Sequence, residues 1–462
     1  MTSDSTSKQL LFQEIEGRAV VAAFDGGQIS SDGGSLLLRQ IEQGRSYIRE
    51  FASHFHDGRD QRFVEHPVEQ LIGQRVYGLC LGYEDLVDHD ELREDPLMGL
   101  LCGRADPEEG PLAGKSTLNR LETARPVGQE LTRYKKIVAD MEKLSEFFVK
   151  TFVRTTKKRP ARLILDFDAT DDPLHGKQEG RFFHGHYDCY CYLPLYVFCG
   201  DQLLWAQLRK SNIDPSEGAI EVLATIVAEL RQKWSGVPIL VRGDSGFCRE
   251  ELMSWCEANR VDYLLGIAKN ARLLRLIRPL MKKVRRSWAR SRKATRRYTD
   301  FRYRTLNSWS RSRRVIAKAE YLDKGENPRF VVSSLARSRY PAQELYEGLY
   351  CQRGEMENRI KEQQLWLFAD RTSSATMRAN QLRLWFSSLA YVFLNELRRV
   401  ALRATELASA TCQTIRLKVL KIGARVRHSV RRISISLAGG YPYQNVFAVA
   451  VRNLHTAYRL QL

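Results

Sequence analysis

Three carboxylates stand where a fold can present them for chemistry. Asp168 closes the run Ala161-Arg162-Leu163-Ile164-Leu165-Asp166-Phe167-Asp168, and Asp244 closes Val237-Pro238-Ile239-Leu240-Val241-Arg242-Gly243-Asp244. Both runs pattern as strands, so each Asp leaves a sheet at its C-terminal end and faces a cleft. Glu357 lies in a segment with helical spacing, Gln343 to Phe368. Two strand ends and one helix could hold a pair of Mg²⁺ ions roughly 3.5–4 Å apart, the arrangement that activates water and stabilises a leaving oxygen in phosphodiester displacement. Carboxylates are the hard oxygen donors that Mg²⁺ takes, and Mn²⁺ can substitute. Each carboxylate also has an ordinary alternative: an Asp can cap a turn or a helix, and Glu357 can pair with a nearby Arg. Asp166, two residues before Asp168, shares its face of the strand and is a rival first ligand. Tyr350, Arg353 and Glu357 are spaced three and four apart and project from one side of a helix, with Lys361 one turn further on.

Around these residues the pattern predicts a mixed α/β sheet. Strand-like runs Tyr187 to Phe198 and Gln202 to Lys210 flank a turn at Gly200-Asp201, Glu217 to Trp234 reads as an amphipathic helix, and a further strand spans Val261 to Ile267. Residues 1–155 read as a mainly helical domain, with helical spacing in Glu69 to Cys80 and Ser116 to Leu144. The core is expected in two parts, 156–270 and 341–404, the second carrying the Glu357 helix. Between them, residues 271–340 read as a basic, β-rich insertion with strands near Arg296 to Leu306, Arg314 to Tyr321 and Phe330 to Ser334. A basic C-terminal region, 405–462, follows.

The chain of 462 residues carries a net charge of +19, and the charge is unevenly placed. Residues 1–150 hold 18 Lys/Arg against 26 Asp/Glu, a net of −8, whereas residues 269–318 hold 19 against Asp300 alone, a net of +18. A localised positive field marks a polyanion partner. Aromatic side chains interleave those cations, so Trp288 and Trp309 are candidates for stacking on an unpaired base and Arg285, Arg286, Arg296 and Arg297 for phosphate contacts. A packed Trp is the ordinary alternative for at least one of the two. Nine scattered cysteines argue against a disulfide framework, and Met1-Thr2-Ser3-Asp4 has neither a basic region nor an apolar core of an export signal. A cytoplasmic location beside the bacterial nucleoid is expected. His184-Gly185-His186 with Cys189 and Cys191 offers zinc-ligand types, but Cys-x-Cys on a strand reads better as packed thiols. Ala113-Gly114-Lys115-Ser116 lacks the first glycine of a phosphate loop and reads as a helix start capped by Ser116.

Asp168-Ala169-Thr170, Arg242-Gly243-Asp244-Ser245-Gly246-Phe247 and Tyr350-Cys351-Gln352-Arg353-Gly354-Glu355-Met356-Glu357 resemble the three signature blocks of bacterial insertion-sequence DDE transposases, the last being a Y-x2-R-x3-E motif. Gly82-Tyr83-Glu84-Asp85-Leu86, Leu92-Arg93-Glu94-Asp95-Pro96-Leu97, Ala113 to Arg120, His175 to Gly180, Ala379 to Arg383 and Leu420 to Ala424 are similar to blocks of insertion-sequence family 1380. The resemblance implies an RNase H-like core interrupted by a β-rich insertion, and cut-and-paste chemistry on terminal inverted repeats and target DNA by a homodimer. It also implies that Asp168, ahead of a small residue and Thr, is the first metal ligand. Tyr350 and Arg353 match residues that contact DNA phosphate near the cleavage site. The family's Lys seven positions after the Glu is Gln364 here, and Lys361 is the nearest cation. A catalytically inactive, transposase-derived DNA-binding protein is the second class the sequence allows.

Overall fold

The computed structural model describes residues 9–104, 106 and 109–460, so Met1-Thr2-Ser3-Asp4 lies outside the described residues. The chain divides into two compact units, residues 1–139 with 366–368 and 389–462, and residues 140–365 with 369–388. In the first unit the two ends of the chain meet. The strand Ala424–Ser429 pairs with Ile29–Ser30 through Ala424 and Ser30, and Arg45 bonds Glu396 with only 5 % of the Glu396 side chain exposed. Arg416 donates from Nε to the Cys80 carbonyl at 2.9 Å and from Nη2 to the Leu79 carbonyl at 3.0 Å. Those carbonyls end the helix Val68–Leu81, whose chain reverses at Gly82 with φ +95°, so a buried cation satisfies acceptors that a helix end leaves open. The expected terminal regions thus share one unit, because long-range pairing outweighs local pattern.

Ser116 to Leu144 is not one helix. The helix Lys115–Glu122 ends before Arg125-Pro126 and Val127-Gly128, a proline and a positive-φ glycine, and Ile137–Ala139 is a strand. Gly114, not Ser116, takes the capping position, and it makes no side-chain cap bond. The second unit begins with α1, Met141–Thr155, which lies within the stretch expected to belong to the N-terminal domain.

The second unit is built on a nine-stranded mixed sheet. Its first five strands are β1 (Leu163–Ala169), β2 (Leu195–Cys199), β3 (Gln202–Gln207), β4 (Ile239–Gly243) and β5 (Asp262–Ile267). They lie in the order β3-β2-β1-β4-β5, antiparallel among the first three and parallel from β1 through β5. The sheet continues through β6 (Thr295–Tyr303), β7 (Arg313–Leu322), β8 (Gly325–Glu326) and β9 (Arg329–Ser333), with β9 antiparallel to β5. The basic segment is therefore not a separate β-rich body. It opens with a 21-residue helix, α4 (Ala271–Ser291), and its strands extend the core sheet. Leu273, Ile277, Met281 and Val284 bury one face of α4 at helical spacing, an apolar stripe hidden among cations in the sequence.

Two helices between the strands complete that side: α2 (Ala219–Lys233) and α3 (Glu250–Ala258). Successive strand residues point to opposite faces, and this assigns the sheet. Leu163, Leu165, Phe167 and Val241 pack with Phe152 of α1, Ile226 of α2, Met253 of α3 and Ile277 of α4. Ile164, Leu240 and Leu264 face the other way, onto Leu345, Tyr346 and Tyr350 of a helical segment that starts at Glu344. Asp166, Asp168 and Arg242 share that second face by parity.

There Asp166 and Arg242, neighbours in register, form a bidentate pair, Nε to Oδ1 at 2.6 Å and Nη2 to Oδ2 at 2.7 Å, with residue exposures of 2 % and 5 %. The remaining Arg242 nitrogen donates to the Leu349 carbonyl. Asp166→Ala is expected to strand this cation and lower unfolding free energy by about 3–5 kcal/mol in urea denaturation, while Asp166→Leu with Arg242→Met should lose less. A single variant as stable as wild type would show that the pair is not what holds the strands.

Candidate active site

The sheet parity that buries Asp166 also brings the first two carboxylates together. Asp166 lies opposite Arg242, and two residues further along the two parallel strands stand Asp168, near the end of β1, and Asp244, just past the end of β4. Asp244 follows β4 and caps the turn Ser245–Phe247 by accepting from the Gly246 amide at 2.9 Å. Glu357 projects from α5 (Gly354–Lys361), on the helical segment that covers this face. Arg353 lies between: its Nη2 donates to Glu357 Oε1 at 2.8 Å and its Nη1 is 3.4 Å from Asp168 Oδ1. Both ordinary roles weighed from the sequence, an Asp cap and a Glu–Arg pair, are thus present. They coexist with two of the carboxylates, Asp168 and Glu357, meeting on one guanidinium, whose charge Asp244 also favours.

The electrostatics follow from this crowding. Burial first, then Asp244 and Glu357, push the Asp168 carboxyl up to about 7, and Arg353 works against the rise. Burial disfavours the charge on Arg353, but Asp168, Tyr350, Glu357 and Asp244 hold its proton above the ordinary value. Tyr350 is packed close: a Cβ on Gly266 of β5 would come within 2.7 Å of its hydroxyl and 3.0 Å of the Ser245 amide. Glycine at 266 is what lets the hydroxyl and the Asp244 turn approach the same strand.

Asp166, the rival first ligand, is bound through both its oxygens to Arg242. Lys361 is exposed at the C-terminal end of α5, and among the described residues no hydrogen bond or ion pair ties it to the carboxylates. Gln364 instead donates to the Asp171 carbonyl at 3.0 Å and to Asp172 Oδ1 at 2.9 Å. Asp172 is fully buried, which pushes its carboxyl up to about 8 despite that bond. Trp309 is 4 % exposed, edge-on to Tyr303 at 5.7 Å in the core, so its ring is not open to a base. Trp288 packs at 4.8 Å from Tyr321, with Arg292 over it at 4.9 Å. Arg285 and Arg286 are exposed on α4, and Arg296 and Arg297 are exposed on β6, where Arg296 stands 3.3 Å from Glu347. Sequence reasoning missed the Arg242 anchor. Its signal was an arginine inside an apolar strand, which requires a buried partner.

The donor chemistry fits divalent metal: three carboxylates in one charge cluster, partly neutralised by a guanidinium. Among the described residues no three His, Cys, Asp or Glu side chains stand close enough to hold one ion as placed. Among the same residues no helix is long and apolar enough to cross a membrane.

The model of the family described as transposase DDE domain group 1 matches residues 12–458. No curated protein matches the chain. Among solved structures, the chain is similar to the piggyBac transposase in a synaptic complex with hairpin DNA, at 12 % identity over 89 % of this chain and 88 % of that one, with a TM-score of 0.35.

Crowding at Asp168 has a consequence for stability. An unfolded Asp loses its proton near pH 4, whereas the folded Asp168 holds its proton to about 7. The folded state binds the extra proton between those values, so stability falls as pH rises across that window. In chelator-containing buffer, Asp168→Asn is expected to be more stable than wild type at pH 8 by on the order of 2–4 kcal/mol, the gap closing toward pH 4. Equal stability at pH 8 would show that the carboxylates do not crowd.

Proposed function

The chain belongs to the transposase DDE domain group 1 family, and from that membership we propose that it is a DNA transposase that cleaves the ends of an insertion sequence and joins them to target DNA. The observation that carries the reading is the meeting of Asp168 and Glu357 on Arg353, with Asp244 at the end of the strand beside that of Asp168. Support comes also from strand order. We read the order β3-β2-β1-β4-β5, antiparallel among the first three strands and parallel from β1 through β5, as an RNase H-like core with two carboxylates at the ends of the adjacent strands β1 and β4. The short family blocks noted in the sequence favour a bacterial element of insertion-sequence family 1380.

In this reading Asp168, Asp244 and Glu357 hold two Mg²⁺ ions, for which Mn²⁺ can substitute. Such ions, when bound, stabilise charge on phosphate oxygens and ease deprotonation of an attacking water. The chain's own residues do the positioning. Arg353, held protonated at the centre of the cluster, pairs with a non-bridging oxygen of the scissile phosphate, and the Tyr350 hydroxyl donates to the same group. Lys361 adds a cation one turn beyond Glu357. Water attacks phosphorus, the bond to the 3′ oxygen breaks, and a 3′-hydroxyl leaves. That hydroxyl then attacks a phosphodiester of target DNA, forming one P–O bond and breaking another. Two ends must be joined, so two copies of the chain act together.

The cationic face of α4, with Arg285 and Arg286, and β6, with Arg296 and Arg297, follows the phosphates of bound DNA. Replacing these four arginines by Gln is expected to weaken duplex binding at low salt and to flatten the slope of log K against log salt by nearly one for each phosphate left without its cation. An unchanged slope would place the DNA elsewhere.

The decisive experiment is Mg²⁺-dependent excision of a marked DNA flanked by the inverted repeats bordering the gene. Glu357→Gln is expected to reduce cleavage at least ~100-fold and leave DNA binding intact. Tight binding without cleavage by either protein would instead identify an inactive DNA-binding derivative.

A further inference from the structure

We propose that the hairpin between β1 and β2, made of Phe182–His184 and Cys189–Tyr192, is a platform on which unpaired bases of a DNA end stack beside the carboxylates. The inference rests on the transposase reading and names the surface that takes the opened strand. This hairpin includes the His184, His186, Cys189 and Cys191 run whose residue types suggested zinc, and no metal cluster is found there among the described residues.

The strands pair so that Phe183 lies opposite Tyr190 and Phe182 opposite Cys191. Cys191 is wholly buried, and Ser211 Oγ donates to the Phe182 carbonyl at 2.9 Å, so the inner face anchors the hairpin to the unit. The outer face carries Phe183 and Tyr190, 53 % and 44 % exposed, with ring centroids 5.6 Å apart at 75°. Arg181, on the same face by strand parity, holds its guanidinium 4.1 Å from the Tyr190 ring centroid. Lys177 and Lys210 are exposed nearby, Lys210 against Gly180. Two open aromatic rings flanked by cations match a single strand, whose bases offer π faces and whose phosphates need positive charge. A duplex hides its base faces within its own stack, so unpaired bases are the fitting occupant. Of the candidates read from sequence, Trp309 is buried and Trp288 is half-buried against Tyr321, whereas Phe183 and Tyr190 are open.

Location supports the assignment. β2 sets Tyr196 opposite Asp168, and Tyr190 precedes it by six residues, at most roughly 20 Å of strand. The hairpin turn comes nearer: the Tyr187 hydroxyl is pushed up to about 12 by burial and then by Asp171, Asp168 and Asp244. A strand whose phosphate sits at the carboxylates therefore reaches the rings within a few nucleotides.

The test uses the full chain with EDTA, and a duplex from the inverted repeat that ends either blunt or in a short single-stranded overhang carrying 2-aminopurine. Wild type is expected to prefer the overhang by roughly ten-fold or more and to quench the 2-aminopurine. The double variant Phe183→Leu with Tyr190→Leu keeps apolar bulk; it should lose both effects yet bind blunt duplex as before, while Tyr190→Phe retains them. Preference and quenching that survive the double variant, or are absent from a wild type that cleaves normally, would overturn the platform alone. A wild type that neither binds these DNAs in EDTA nor cleaves them when Mg²⁺ is added would overturn the platform and the transposase reading together.

Discussion

The candidate site depends on one buried guanidinium. Arg242 of β4 holds Asp166 of β1 through two bonds and the Leu349 carbonyl through a third, so a single side chain ties two central strands to the helical segment that carries the third carboxylate. Charges taken out of water are costly unless both partners are fully bonded, and here they are. The net stability of such a pair is small, but its geometry is demanding. That demand fixes the register of β1 against β4, and with it the places of Asp168 and Asp244 at the ends of those strands. It also fixes where Tyr350, Arg353 and Glu357 face.

From that scaffold comes a site that works against the fold. Three carboxylates in a partly buried cluster repel one another, and Arg353 offsets that repulsion at Asp168 and Glu357. The same repulsion is what favours a bound cation. Arg353 is suited to a double task, because a guanidinium that neutralises carboxylates also pairs with phosphate oxygens in fork geometry. The strand alignment that the Asp166–Arg242 pair fixes thus carries a strained charge cluster two residues along the same strands.

Much of this was legible in the sequence. The runs ending at Asp168 and Asp244 alternate or concentrate apolar residues so clearly that both strands and the helix after β3 fall where expected, and the three basic-segment strands do as well. What escaped was set by contacts distant in sequence. Nothing near Arg416 says that it satisfies the end of a helix more than three hundred residues earlier, and nothing near Ala424 says that it pairs with Ser30. The apolar stripe of α4 was masked by its own cations, and Trp309 was read by its neighbours' charge when its burial is decided by Tyr303 and Arg313. At the site, the rivalry between Asp166 and Asp168 was open because parity treats them alike. Only the partner on the adjacent strand separates an anchored carboxylate from a free one.

The helix carrying Glu357 shows why spacing alone stops short. Its path is π-helical over Glu344–Tyr350, tightens over Cys351–Arg353, is α-helical over Gly354–Lys361 and widens again over Glu362–Trp366. Changes of winding rotate later residues relative to earlier ones, so positions three, four and seven apart do not keep the faces a uniform helix would give them. At the start of the α-helical stretch Arg353, which caps it, and Glu357 meet as expected. Beyond it, Gln364 turns to the Asp171–Asp172 loop, where its amide donates to a buried carboxyl. A lysine there would bring a full charge beside a carboxyl whose burial already disfavours charge, whereas a neutral amide meets it without one. The departure from the expected Lys is therefore consistent with the local winding, and any cationic role falls to Lys361, the last residue before the winding changes.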